Sequence, residues 1–86
     1  MVVRAKFRLT SWRNSEGSRL VDGQWTRCLM ATLEFIPVGD DSPENKMFWE
    51  ATPMGKIELS MVNPEAIKEF DILQEYYVDF IPVKKP

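Results

Sequence analysis

Histidine is missing from this chain of 86 residues, and cysteine occurs once, at Cys28. Without an imidazole there is no Ser-His-Asp or Cys-His activation of a nucleophile and no histidine-bearing zinc site. One thiol cannot build an intrachain disulfide framework. The four glycines stand apart at positions 17, 23, 39 and 55, so no glycine-rich loop is available to cradle a phosphate. No apolar run approaches the ~18 residues of a membrane-spanning helix. The start, Met1-Val2-Val3-Arg4-Ala5-Lys6, mixes charge with apolar residues where a signal peptide carries its apolar core. A chain this short also struggles to enclose a ligand pocket while keeping a core. The expectation is a non-enzymatic protein with no catalytic residue, no cofactor and no resident metal.

What is present is an ordinary globular composition, 44% hydrophobic, in a single domain spanning 1–86. The formal charge of −2 hides a division. Through residue 30, six Lys and Arg against Glu16 and Asp22 leave +4; beyond it, five Lys against eleven acids leave −6. A basic half and an acidic half can pair within one fold, pair between copies, or mark a surface for an anionic partner.

Two-residue alternation dominates. Val3, Ala5, Phe7 and Leu9 point one way while Arg4, Lys6, Arg8 and Thr10 point the other, which predicts a strand over 2–13. The polar stretch 14–18 predicts a turn, and Asp22-Gly23 a second one. Residues 24–36 form the longest β run, with Trp25, Leu29, Ala31, Leu33 and Phe35 on one face and Arg27 as the exception there. Residues 46–51 read equally as a short helix or a short strand, although Ser42-Pro43 resembles an N-cap followed by a first-turn proline. Residues 56–62 alternate again. Asn63-Pro64-Glu65 starts a helix, with Ala66, Ile67 and Phe70 as its apolar stripe. A final strand carries Tyr76, Val78 and Phe80. The six prolines all fall at element boundaries, where a residue with no N–H to donate stops pairing. The expected fold is mainly β: a small five-stranded barrel or sandwich, in an OB-like form if 46–51 is not a strand, with one short helix near 64–70.

Two surfaces are candidates for function. Arg4, Lys6 and Arg8 share one side of a strand, with Trp12 in the same phase if the strand stays regular; Arg13, Trp25 and Arg27 lie close in sequence. Cations beside exposed rings suit single-stranded nucleic acid, since phosphates take the charges and bases stack on the rings. Overall acidity argues against a polyanion partner. The second candidate is a protein interface at Phe48, Trp49 and Tyr77. Ten aromatic residues exceed what a minimal core hides, and of adjacent rings in extended chain one must face outward. The acidic loop Asp40-Asp41-Ser42-Pro43-Glu44 lacks the glycine and distal glutamate of a calcium loop. Glu65 and Glu69, one helical turn apart, read as a solvated helix face.

The string Glu44-Asn45-Lys46…Phe48…Thr52-Pro53-Met54-Gly55…Asn63-Pro64…Phe70…Glu75-Tyr76-Tyr77-Val78-Asp79-Phe80…Pro82 resembles a group of short, uncharacterised proteins encoded by tailed phages and prophages. The resemblance covers residues 44–82. Such proteins often carry a glycine in the turn before the Tyr-Tyr-Val-Asp-Phe strand, where this chain has Ile72-Leu73-Gln74. It implies a phage product located in the virion, or in the host cytoplasm during infection. Together with the surplus aromatics and opposed charge halves, it leads to the expectation of a protein acting by protein–protein contact. A minor virion component such as a capsid decoration subunit fits best, with phage structural proteins or copies of itself as partners and no membrane. The alternatives are an OB-like single-stranded nucleic-acid binder and a phage inhibitor of a host factor.

Overall fold

Strict alternation and β-branched or aromatic residues fold residues 3–37 into one long hairpin. The computed structural model describes residues 3–39, 42, 43, 46, 49 and 54–84. Strand β1 runs Val3–Val21 and β2 runs Gln24–Pro37, joined by Asp22-Gly23. Both turn residues have positive φ, 49° and 78°, the backbone of a type I′ turn. Strand β3 (Ile57–Met61) pairs with β2, and β4 (Glu75–Phe80) pairs with β1. All pairings are antiparallel, in the order β3-β2-β1-β4.

The sheet is open. The five-stranded closed barrel expected from the long strands does not form among the described residues, for a topological reason. The two short strands flank the hairpin on opposite edges, so neither end of the sheet meets the other. A second correction concerns residues 14–18. Their polar, turn-like composition is overridden by cross-strand pairing, and Asn14 through Ser18 continue β1 opposite Ala31 through Arg27. Lys46 donates its N–H to the Ser42 carbonyl at 3.1 Å, and Pro43, Lys46 and Trp49 are helical, which settles that segment against a strand at these positions.

One face of the sheet carries the core: Ala5, Phe7 and Leu9 from β1, and Ala31, Leu33 and Phe35 from β2. Because β3 and β4 occupy opposite edges, the segment between them must cross that face. It does so as the short helix Pro64–Ile67, started by Asn63, whose side chain accepts from the Glu65 N–H at 3.1 Å. Phe70 and Tyr76 each set an edge against Phe35, at 5.8 and 5.9 Å between centroids. The Tyr76 hydroxyl locks the crossing by accepting from the Asp71 N–H at 2.7 Å and donating to the Glu69 carbonyl. The radius of gyration, 15.9 Å, exceeds the about 12 Å of a compact chain this long, and the extents are 47 × 38 × 18 Å. The molecule is a thin plate with a projecting ribbon.

Leu73, in the turn before β4, has φ of 70°. An L-residue in this left-handed region costs about 1–2 kcal/mol. Its N–H donates to the Leu9 carbonyl at 2.7 Å, and the side chain is 67% exposed. Leu73→Gly is therefore expected to raise stability by about 0.5–1 kcal/mol after the entropy of glycine is deducted. A urea midpoint that does not rise would contradict this account of the turn.

Candidate protein-interaction surface

A β-bulge decides which residues meet. The register of β1 against β2 shifts between Leu9 and Ser11, inserting Thr10 as an extra residue. Before it the odd residues of β1 face the core; after it the even ones do. Trp12 therefore leaves the phase of Arg4, Lys6 and Arg8, pairs with Leu33 and packs against the core, its indole N–H donating to Asn14 Oδ1 at 2.9 Å. This corrects the expectation of a regular strand.

Arg4, Lys6 and Arg8 do share the opposite face, but β4 meets them residue by residue. Arg4 lies across from Asp79, Lys6 from Tyr77, and Arg8 from Glu75. Arg4 holds Asp79 with two hydrogen bonds of 2.6 and 3.0 Å, and Arg8 reaches Glu75 at 2.5 Å. The Arg4 guanidinium and the Lys6 ammonium stand 4.8 and 5.8 Å from the centre of the Tyr77 ring. Part of the basic–acidic division of the sequence is thus answered within the fold, since β1 of the basic half is sewn to β4 of the acidic half. Arg13 follows on the same face, opposite Thr32, whereas Trp25 and Arg27 lie on the other one, opposite Leu20 and Ser18. Arg27 pairs with Glu16 at 2.8 Å. The constellation suited to single-stranded nucleic acid is divided: Arg4, Lys6, Arg8 and Arg13 stand on one face, and Trp12, Trp25 and Arg27 on the reverse.

The hydrogen bonds from Arg4 hold the Asp79 carboxyl below its ordinary pKa; a slight loss of hydration opposes them, and the guanidinium charge adds to the lowering. A carboxylate with a lowered folded pKa stabilises the fold above the unfolded value of about 3.9, and that contribution is lost as pH falls through the folded value. Asp79→Asn should therefore flatten the fall in denaturation midpoint on acidification below about pH 4. Equal acid slopes for the two proteins would exclude the linkage.

Of the three expected interface residues, Phe48 lies outside the described residues. Trp49 is half-buried, its ring edge-on to Phe7 at 6.1 Å. Tyr77 is exposed beneath Arg4 and Lys6. A more prominent surface was not singled out from the sequence. β3 pairs with β2 only from Ala31 to Phe35, and β4 with β1 only from Val3 to Arg8. From Ser15 to Met30 the hairpin is consequently a two-stranded arm. The apolar stripe of β2 continues along it past the end of its cover: Phe35, Leu33 and Ala31 are buried, then Leu29 is 56% and Trp25 75% exposed. Leu20, paired with Trp25 beside the turn, is exposed as well. The signal available in the sequence was Asp22-Gly23 flanked by Leu20-Val21 and Trp25, the pattern of a hairpin tip carrying apolar residues.

Gly17 lies within the arm. A Cβ built on it would fall 2.9 Å from Met30 Cβ and 3.1 Å from Val62 Cγ1. The bare backbone here lets Met30 and Val62 pack close against the ribbon. Gly17→Ala should overpack this contact and cost about 1–3 kcal/mol. A melting temperature equal to or above that of the wild type would refute it.

Among the described residues, no group of His, Cys, Asp and Glu could hold a metal ion, and no helix is long and apolar enough to cross a membrane. Comparison of the chain with protein-family models, with curated proteins and with solved structures finds no match.

Proposed function

We propose that this is a non-enzymatic phage protein that works by protein–protein contact, as a minor virion component such as a capsid decoration subunit, and that the arm Ser15–Met30 is its docking element. The observation that carries this reading is the apolar stripe of β2 running out from the core onto a bare ribbon. An isolated two-stranded ribbon is marginally stable in water. A sequence that places Leu20, Trp25 and Leu29 on one side of such a ribbon suits a surface that supplies the missing cover. Tryptophan at the end of an exposed element is the residue type that dominates protein interfaces. The resemblance of residues 44–82 to tailed-phage proteins supplies the virion context.

The test is co-sedimentation of the purified protein with capsids of the phage or prophage that encodes it, with bound copies counted per particle. Saturable binding that Trp25→Ala weakens tenfold or more is expected. A protein that never sediments with particles would remove the virion reading. Tryptophan quenching by single-stranded oligonucleotides that weakens as salt rises would transfer the function to nucleic acid.

A further inference from the structure

The two-residue turn fixes which backbone groups of the arm face outward. Val21 and Gln24 flank Asp22-Gly23 and bond to each other, so the even-numbered residues of β2 turn their N–H and C=O groups toward β1. The same parity holds just past the far end of β2, where the Val38 N–H donates to the Lys6 carbonyl at 3.0 Å. Odd-numbered residues turn the other way. Those of Ala31, Leu33 and Phe35 face Met61, Leu59 and Ile57 of β3. The peptide groups of Trp25, Arg27 and Leu29 continue that row beyond the end of β3, and no backbone partner meets them among the described residues.

Resting on the reading of the arm as a docking element, we infer that it docks by strand addition. An extended segment of the partner protein pairs with the free edge of β2 and takes up the position that β3 vacates. Main-chain bonds along such an edge supply affinity, and the side chains beside it supply selectivity. The usual protections against pairing are missing, since residues 24–30 hold no proline, no lysine and no bulge. On the core-side face, the opposite edge of the ribbon sets polar Asn14, Glu16 and Ser18 where this one sets Trp25 and Leu29.

Charge decides which segment fits. Arg27 stands between Trp25 and Leu29 on the same face, its side chain 86% exposed, with Glu16 behind it on β1 at 2.8 Å. A strand added in front of β2 lies along the open flank of that guanidinium. The fitting segment carries an acid opposite Arg27 and apolar residues two places to either side, opposite Trp25 and Leu29. A second copy of this chain does not fit. Full overlap of two such edges about a two-fold axis sets Arg27 directly against Arg27, where like charges repel.

The experiment is an NMR titration of the isotope-labelled full chain with the capped peptide isoleucine-threonine-glutamate-threonine-isoleucine, to about 5 mM, where weak contacts register. The amides of Trp25, Arg27 and Leu29 should shift and gain protection from hydrogen exchange, while Thr26 and Cys28, already bonded to β1, gain little. Lysine in place of the glutamate should weaken binding about threefold or more, and Arg27→Glu should invert that preference. Cys28 allows residues 1–27 to be ligated to 28–86, so one methyl group can be placed on the Arg27 backbone nitrogen with every side chain kept. That chain, its fold checked by circular dichroism, should no longer pair. Arm amides that stay unmoved by the glutamate peptide overturn the inference. So does equal binding to the methylated chain, which would put the peptide on the apolar face instead of the edge, and so does a glutamate preference that survives Arg27→Glu. Capsid co-sedimentation that the methyl group leaves unchanged also overturns strand addition while the docking reading stands; peptide pairing without any co-sedimentation does the reverse.

Discussion

Leu33→Ala is expected to abolish cooperative unfolding at 25 °C, while Leu29→Ala, four residues away on the same face of the same strand, changes stability by less than about 0.5 kcal/mol. Leu33 is fully buried between Trp12 on β1 and Leu59 on β3, at the centre of the sheet. Removing three heavy atoms there leaves a cavity that flanking strands cannot close without breaking register. The typical cost is about 2–5 kcal/mol. A core drawn from so few buried side chains supplies roughly 3–5 kcal/mol in total, so the loss is comparable with the whole stability. Leu29 has the same chemistry and no cover, and its truncation leaves no cavity. Urea titrations followed by circular dichroism decide the matter. Similar midpoints for the two variants would mean that the stripe is covered, or uncovered, along its full length.

Shortening the arm should separate folding from docking completely. Replacing residues 16–29 by Asn-Gly joins Ser15 directly to Met30, a pair of the same parity in the ladder as Val21 and Gln24 around the natural turn. The new two-residue connection therefore meets the geometry a type I′ turn requires. The buried apolar side chains all lie within 5–9 and 31–35, so the plate retains its core. The shortened protein is expected to melt within about 5 °C of the parent and to lose capsid co-sedimentation altogether. Undiminished binding would place the docking surface on the plate, with Tyr77 and the paired face of β1 as the next region to test.

Much of the architecture was legible because alternation is local. The inward set Ala5, Phe7, Leu9 and the stripe Trp25, Leu29, Ala31, Leu33, Phe35 follow from a period of two, which sterics impose on any extended chain. The helix start at Asn63-Pro64-Glu65 was equally plain, since a cap, a fixed φ and a first-turn acid act within four residues. The barrel was not legible in the same sense. Strand count and closure depend on which edges meet, and the two short strands flank one hairpin instead of joining each other. Residues 14–18 show the same limit: a polar run reads as a turn until a partner strand offers every peptide group a hydrogen bond.

The candidate surface divides along this line. The cations of β1 were visible, but not the acids opposite them, because Asp79 and Glu75 lie more than sixty residues away. The phase of Trp12 depended on one inserted residue, Thr10, whose bulge is tied down by bonds among Leu9, Leu73 and Gln74. The positive φ of Leu73 belongs to the same turn before the last strand.

The amino-acid order alone determined the β character, the inward and outward sets along each strand, the hairpin turn at Asp22-Gly23 and the absence of histidine-based chemistry. Those properties arise from contacts between near neighbours and from composition. Tertiary structure alone decided that the sheet stays open, that Arg4 and Arg8 of the basic strip meet the acids of β4, and that cover ends at Ala31 so that Leu29 and Trp25 stand bare. Exposure is set by whether distant segments reach a residue, and no local pattern encodes that reach.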